Sequence, residues 1–87
     1  MYVILVYDVE EKRVTRALKI CRTYLHWVQN SVFEGELTEG KLKELYSRLK
    51  KVLKKDKDSV LIYKFRDEKA FDKEILGQER APMTNML

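Results

Sequence analysis

Apolar residues fall into two kinds of pattern along this chain. Tyr2–Tyr7 (YVILVY) is an uncharged run, and Val60–Phe65 (VLIYKF) is nearly one. Short runs rich in β-branched and aromatic residues favour extended strands. In contrast, Val14, Ala17, Leu18, Cys21, Tyr24 and Leu25 recur at helical spacing. Leu42, Leu45, Tyr46, Leu49, Val52 and Leu53 repeat the same offsets. Each set draws one apolar stripe along a helix, with basic residues on the opposite side. The segment His26–Leu37 (HWVQNSVFEGEL) also favours strand. It fits either two short strands about a tight turn at Asn30–Ser31 or one bulged strand. The order is then β-α-β-β-α-β, a ferredoxin-like α+β fold with both helices on one face of an antiparallel sheet.

Local signals place some boundaries. Thr38 has the hydroxyl to cap the second helix, whose end is expected in the Lys54–Asp58 run KKDKD, where cations suit the negative end of the helix dipole. No linker or low-complexity tract interrupts the chain before its last residues. Residues 1–80 therefore read as one domain and 81–87 as a short tail. Within the domain Glu74–Gly77 has the makings of a brief terminal strand. Tyr2, Ile4 and Val6 lie on one face of the first strand, and Val3, Leu5 and Tyr7 on the other. Both sets are apolar, yet one helix layer covers only one face. A second subunit is the simplest cover for the other, which predicts a homodimer.

Composition adds a charge pattern. Charged residues make up 37% of the 87 residues, against about 25% in ordinary soluble domains. With few glycines and one proline, this density of mixed charge resembles that of thermophile proteins. The net charge is only +4, but Lys41–Lys57 carries eight basic residues against two acids. Such a segment is either a solvated helix face or a surface that attracts phosphate backbones. Lys50, Lys51 and Lys54 are the candidate contacts. No apolar run approaches the length of a membrane span, and no signal-peptide pattern is expected at the amino terminus. The single cysteine, Cys21, sits at an apolar helical position and points to packing in a reducing, cytoplasmic setting. The single histidine, His26, reads as a structural side chain; with Cys21 it is too little for a zinc site.

Asp8 follows the first apolar run and has two readings. Asp8-Val9-Glu10-Glu11 has the form of a capping box, in which Asp8 caps the first helix and Glu11 reaches back. Alternatively, Asp8 is a hard oxygen ligand at the end of a central strand, suited to Mg²⁺, which keeps several waters and takes few protein carboxylates. Two copies meeting across a dimer axis could share one metal and activate water for phosphodiester cleavage. There is no glycine-rich phosphate loop and no serine or cysteine nucleophile motif. The aromatic signature of RNA-binding domains of this fold is missing from VLIYKF.

The residues YDV closing the first strand, then VQNSVFEGEL, then DSVLIYKF, resemble the small ferredoxin-like CRISPR-associated adaptation proteins. These partner the CRISPR integrase in spacer acquisition. The resemblance runs over about residues 1–80 and is most specific at Gln29 and Ser31-Val32-Phe33-Glu34-Gly35. It implies a homodimer of two facing sheets, each extended by the partner's final strand, here Glu74–Gly77. It also implies that Asp8 binds a divalent metal near the dimer interface, with Tyr7, Ser31 and Phe33 near the active cleft. Arg13 and Arg16 fall where members carry arginines and are candidates for contacting a phosphate. A basic residue often precedes the glutamine by two positions in the family; here Trp27 stands there. Members are described as metal-dependent nucleases on single-stranded RNA or duplex DNA, or as scaffolds holding duplex DNA between integrase dimers. The expectation is a Mg²⁺-dependent endonuclease acting in spacer acquisition and antiviral defence, with the non-catalytic DNA scaffold as the alternative. A ligand-binding regulatory domain is the least supported reading.

Overall fold

The structure, a computed structural model, describes residues 1–78 and 80; the short tail expected at 81–87 lies outside the described residues. Its elements run β1 (Tyr2–Asp8), α1 (Glu11–Tyr24), β2 (His26–Gln29), β3 (Val32–Glu36), α2 (Glu39–Lys50) and β4 (Ser59–Phe65), followed by a single 3-10 turn at Glu68–Ala70. The four strands form one antiparallel sheet in the order β2-β3-β1-β4. This is the ferredoxin-like β-α-β-β-α-β topology. The alternatives for residues 26–37 turn out to be combined. Two strands flank a turn at Asn30–Ser31, where Asn30 takes φ 43°, and β2 carries an irregularity between Trp27 and Gln29. Asparagine tolerates this left-handed conformation better than most residues.

Pleating sorts the strands into two faces. Val3 and Leu5 of β1 lie beside Gly35 and Phe33 of β3 and beside Lys64 and Ile62 of β4. This face receives the helices. Phe33, Leu5, Leu42, Leu45 and Val3 are wholly or almost wholly buried, and Ala17, Ile20, Cys21, Leu25, Leu49 and Val52 complete the core. Burial pushes the Cys21 thiol up to about 11, so it packs as an inert apolar side chain at neutral pH. Gly35 of β3 lets Leu25 pack close where α1 hands over to β2: a methyl there would fall 3.3 Å from Leu25 Cδ2, so that side chain would have to give by a few tenths of an ångström.

Thr38 caps α2 as its position suggests, its hydroxyl accepting from the Lys41 amide at 3.1 Å. The start of α1 and the end of α2 depart from expectation, and one residue explains both. The N-cap of α1 is Glu10, no side chain caps it, and Asp8 is the last residue of β1. The capping box is therefore not formed. Instead Asp58, just before β4, accepts from the Glu10 amide (3.0 Å), from Arg13 Nε (2.6 Å) and Nη2 (2.9 Å), and from the Lys54 amide (2.8 Å). The Arg13 Nη2 group also donates to Glu10 Oε1 at 2.8 Å. Binding the Lys54 amide closes the 54–58 turn, where Lys57 and Asp58 amides donate to the Lys54 carbonyl. So α2 stops at Lys50, before the KKDKD run rather than within it.

The Asp58 carboxylate is fully buried, and the guanidinium of Arg13 with two amides holds it well below the usual carboxylate range although burial acts the other way. A folded pKa below the unfolded value stabilises the fold fully above about pH 4 and loses that contribution as pH falls through the folded value. Urea unfolding should therefore show lower stability at pH 3 than at pH 7. Asp58→Asn should lower stability at pH 7 and shrink that pH difference; an unchanged acid profile would contradict the assignment. Phe33→Ala should cost about 3–5 kcal/mol in the same assay, the scale for deleting a fully buried aromatic ring.

Candidate active site

Asp8 ends β1 opposite Ser59, the first residue of β4. By the alternation of β1 it shares a face with Tyr2, Ile4 and Val6, the face turned away from the helices. Val32 and Glu34 of β3 and Leu61, Tyr63 and Phe65 of β4 lie on the same face. Leu61 and Tyr63 are 53% and 52% exposed, so this face is open and largely apolar. The Asp8 side chain is exposed and makes no hydrogen bond or ion pair among the described residues. Its freedom has a cause: Asp58 and Arg13 perform the work at the start of α1 that a capping Asp8 would do.

The other residues expected around Asp8 divide. Ser31 lies at the hairpin tip beside the carboxyl end of β1, its carbonyl accepting from the Tyr7 amide at 3.0 Å. Tyr7 belongs to the helix-facing side of β1, and its hydroxyl donates to the Asn30 carbonyl at 3.1 Å. Trp27 Nε1 donates to the same carbonyl at 3.1 Å. Tyr7 therefore fixes the hairpin against β1 rather than presenting its hydroxyl beside Asp8. Phe33 is corrected outright: it packs at 0% exposure among the helices, with its ring 6.0 Å from that of Tyr7, and reaches no cleft. Arg13 is corrected too. Both edges of its guanidinium that face protein are taken by Asp58 and Glu10, so it is not available to a phosphate. His26 is exposed on β2 opposite Glu34 and makes no side-chain hydrogen bond among the described residues, unlike the satisfied structural side chain anticipated.

Arg16 is exposed on the outer side of α1 and in no ion pair among the described residues, and Lys12 and Lys19 stand on the same exposed side at helical spacing. Lys50, Lys51 and Lys54 are all exposed and in no ion pair among the described residues. The Lys54 amide bond to Asp58, the residue next to Ser59, brings this basic turn to the Asp8 end of the domain. That proximity was invisible in the sequence, because Asp58 lies 48 residues from Glu10 and 45 from Arg13. No helix among the described residues is long and apolar enough to cross a membrane.

The profile of the family described as CRISPR associated protein Cas2 matches residues 1–73. The chain belongs to the Cas2 family. The CRISPR-associated endoribonuclease Cas2 of Methanothermobacter thermautotrophicus is 45% identical over 87 residues, covering 100% of this chain and 96% of the relative. The protein of the same name from Thermotoga maritima is 51% identical over 80 residues, covering 92% of each. A solved Cas2 structure superposes with a TM-score of 0.86 at 54% identity, over 94% of this chain and 92% of the other. Cas2 of Streptococcus pyogenes gives 0.78 at 31% identity, over 88% and 100%.

Among the described residues no three His, Cys, Asp or Glu side chains gather as a metal-binding group. One chain offers Asp8 alone, an unpaired carboxylate suited to a hard cation that keeps most of its waters. The donor chemistry of one chain thus fits a hard divalent cation only as a single carboxylate ligand among waters. Because Asp8 caps nothing, Asp8→Ala should change folding stability by less than about 0.5 kcal/mol, not by the ~1 kcal/mol of a lost cap. Thermal unfolding of the two proteins side by side decides it.

Proposed function

We propose that this chain is a CRISPR-associated, divalent-metal-dependent endonuclease that works as a homodimer in spacer acquisition and antiviral defence, cutting a phosphodiester in single-stranded RNA or duplex DNA. The observation that carries the reading is the Asp8 carboxylate. It is exposed, relieved of any capping duty and set at the end of an open apolar sheet face. The endoribonuclease names of the relatives support the same activity. A twofold pairing of the open faces would cover Val6, Leu61 and Tyr63 and bring two copies of Asp8 to one interface. In that pairing Glu74–Gly77, which is not a strand within the single chain, becomes the strand added to the partner's sheet.

The two Asp8 carboxylates would hold Mg²⁺, which when bound supplies charge stabilisation at the phosphodiester and lowers the pKa of water. The chain's own residues then divide the remaining work. Ser31, at the neighbouring hairpin tip, stands where a substrate backbone would pass, and Tyr7 keeps that tip in place through the Asn30 carbonyl. Arg16, exposed on α1, is the arginine for phosphate contact, in place of Arg13. Lys50, Lys51 and Lys54 grip the nucleic-acid backbone through charge, without reading sequence.

A second reading is favoured by one specific observation: the exposed lysines 50, 51 and 54 form a basic surface that needs no Asp8 to bind duplex DNA. The chain would then be a dimeric scaffold bridging subunits of the CRISPR integrase, which performs the chemistry. Purified wild type and Asp8→Ala, incubated with labelled single-stranded RNA and duplex DNA in Mg²⁺ or EDTA, separate the readings. The nuclease reading expects Asp8→Ala to fall to the EDTA background while binding persists. Equal cutting by both proteins sinks it, and binding without cutting by either supports the scaffold. Reversing Lys50, Lys51 and Lys54 to Glu should weaken DNA binding and flatten its salt dependence by about one unit of log–log slope per lysine lost.

A further inference from the structure

Trp27 is the one tryptophan of the chain, and the chemistry proposed for Asp8 does not use it. It lies on β2, an edge strand of the sheet, and is 38% exposed. Tryptophan is highly buried on average, so its exposure here needs a reason. Its cross-strand partner is Phe33, which faces the helices. Opposite residues of an antiparallel pair share a face, so Trp27 stands on the helix side of the sheet edge. A twofold pairing of the open faces would leave it uncovered.

The ring is held in place. Its Nε1 donates to the Asn30 carbonyl at 3.1 Å, the oxygen that also accepts from the Tyr7 hydroxyl at 3.1 Å. The indole is thus fixed against a hairpin whose tip, Ser31, is tied to the Tyr7 amide, one residue before Asp8. The surroundings carry positive charge. Helix α1 packs against β2 and β3. Along it Lys12, Thr15, Lys19 and Arg22 recur at spacings of three and four and form one exposed stripe. Tyr24 meets Glu44 and Arg48 of α2, and Arg22, two residues earlier, stands on the opposite side of α1, away from α2. Lys12, Lys19 and Arg22 are in no ion pair among the described residues. Glu11, in the first turn, is the only acid of α1, and residues 26–33 contain none.

We propose that Trp27 is a stacking platform for an unpaired base of a single-stranded nucleic acid whose phosphates run along the Lys12–Arg22 stripe. This rests on the nucleic-acid reading above and assigns which form of the polymer the chain takes up. Charge complementarity names the occupant: three cations without partners stand on the helix beside an anchored, exposed indole. Surfaces for single strands combine such a cationic track with aromatic faces on which bases stack whatever the sequence. A base paired inside a duplex has no face free for the indole, so the platform selects single strands. From Trp27 the strand is led over the Asn30–Ser31 tip toward Asp8, the end where cutting is proposed. Trp27 positions the substrate and touches no reacting atom.

The single tryptophan is its own probe. Short single-stranded RNA, single-stranded DNA and duplex DNA of the same sequence are titrated into the full chain at low salt with EDTA. Indole emission and the anisotropy of the labelled nucleic acid are followed in parallel. Either single strand should quench the emission to saturation, and the duplex should leave it nearly unchanged. Trp27→Leu should raise the single-strand dissociation constant roughly 5- to 150-fold and the duplex constant by less than about twofold, while Trp27→Phe keeps most of the affinity. Single-strand binding that leaves the wild-type emission unchanged overturns the proposal and turns the exposed indole over to a protein partner. An unchanged single-strand constant in Trp27→Leu overturns it too, as does an equal loss for single strand and duplex, the mark of a merely structural role. Should Trp27→Leu fail to fold, the wild-type emission and Trp27→Phe still decide. A wild type that binds none of the three probes overturns the nucleic-acid reading itself, and that result appears before any substitution is made.

Discussion

The buried ion pair between Arg13 and Asp58 is the constraint on which the working end of this domain depends. Four hydrogen bonds converge on one carboxylate from the entry to α1, from the first turn of α1 and from the turn after α2. Such a pair is a weak source of net stability, since desolvation offsets much of the attraction. Its value lies in geometry. Removing either partner leaves an uncompensated buried charge, so the segments it joins are held to one arrangement. Through it α1 begins without a side-chain cap, α2 ends at Lys50, and β4 enters the sheet opposite the end of β1. The Asp8 side chain, opposite Ser59 beside that junction, takes no part in it.

The two faces of the sheet then acquire different meanings. The helix face is a closed core in which even Cys21 is ordinary packing. The open face is graded from end to end: packed aromatic rings and the Lys73–Glu34 ion pair at the Tyr2 end, exposed Leu61 and Tyr63 in the middle, and an exposed carboxylate at the Asp8 end. An apolar face of this kind is what a self-complementary interface requires. The carboxylate at its end is placed where a twofold pairing of such faces, as proposed, would bring a second copy of it.

What could be read from the sequence follows the range of the interactions involved. Helix stripes and the Thr38 cap are set by neighbours within a few residues and were legible, whereas residues 26–37 were left between two short strands and one bulged strand. The ferredoxin-like order followed from them. The role of Arg13 was not, because a helical arginine that meets a carboxylate 45 residues away looks like any surface arginine. Phe33 shows a second limit. A motif marks a segment, and only strand alternation tells which of its members face the core. Counting from Leu5 opposite Phe33 puts Phe33 and Gly35 inward and Val32 and Glu34 outward. Glu34 was overlooked for the same reason as Asp58: its partners, Tyr2 and Lys73, stand 32 and 39 residues away. The position of Asp8 was legible, and its freedom from capping was not, since Asp8-Val9-Glu10-Glu11 fits a cap as well as a ligand.

The central proposal is that Asp8 is a half-site completed by a second chain. Calorimetric titration of the metal-free protein with Mg²⁺ tests it most directly, because it counts ions without relying on cleavage. The account predicts one ion for every two chains, and no binding to Asp8→Ala. One ion per chain, or binding that survives Asp8→Ala, would contradict it.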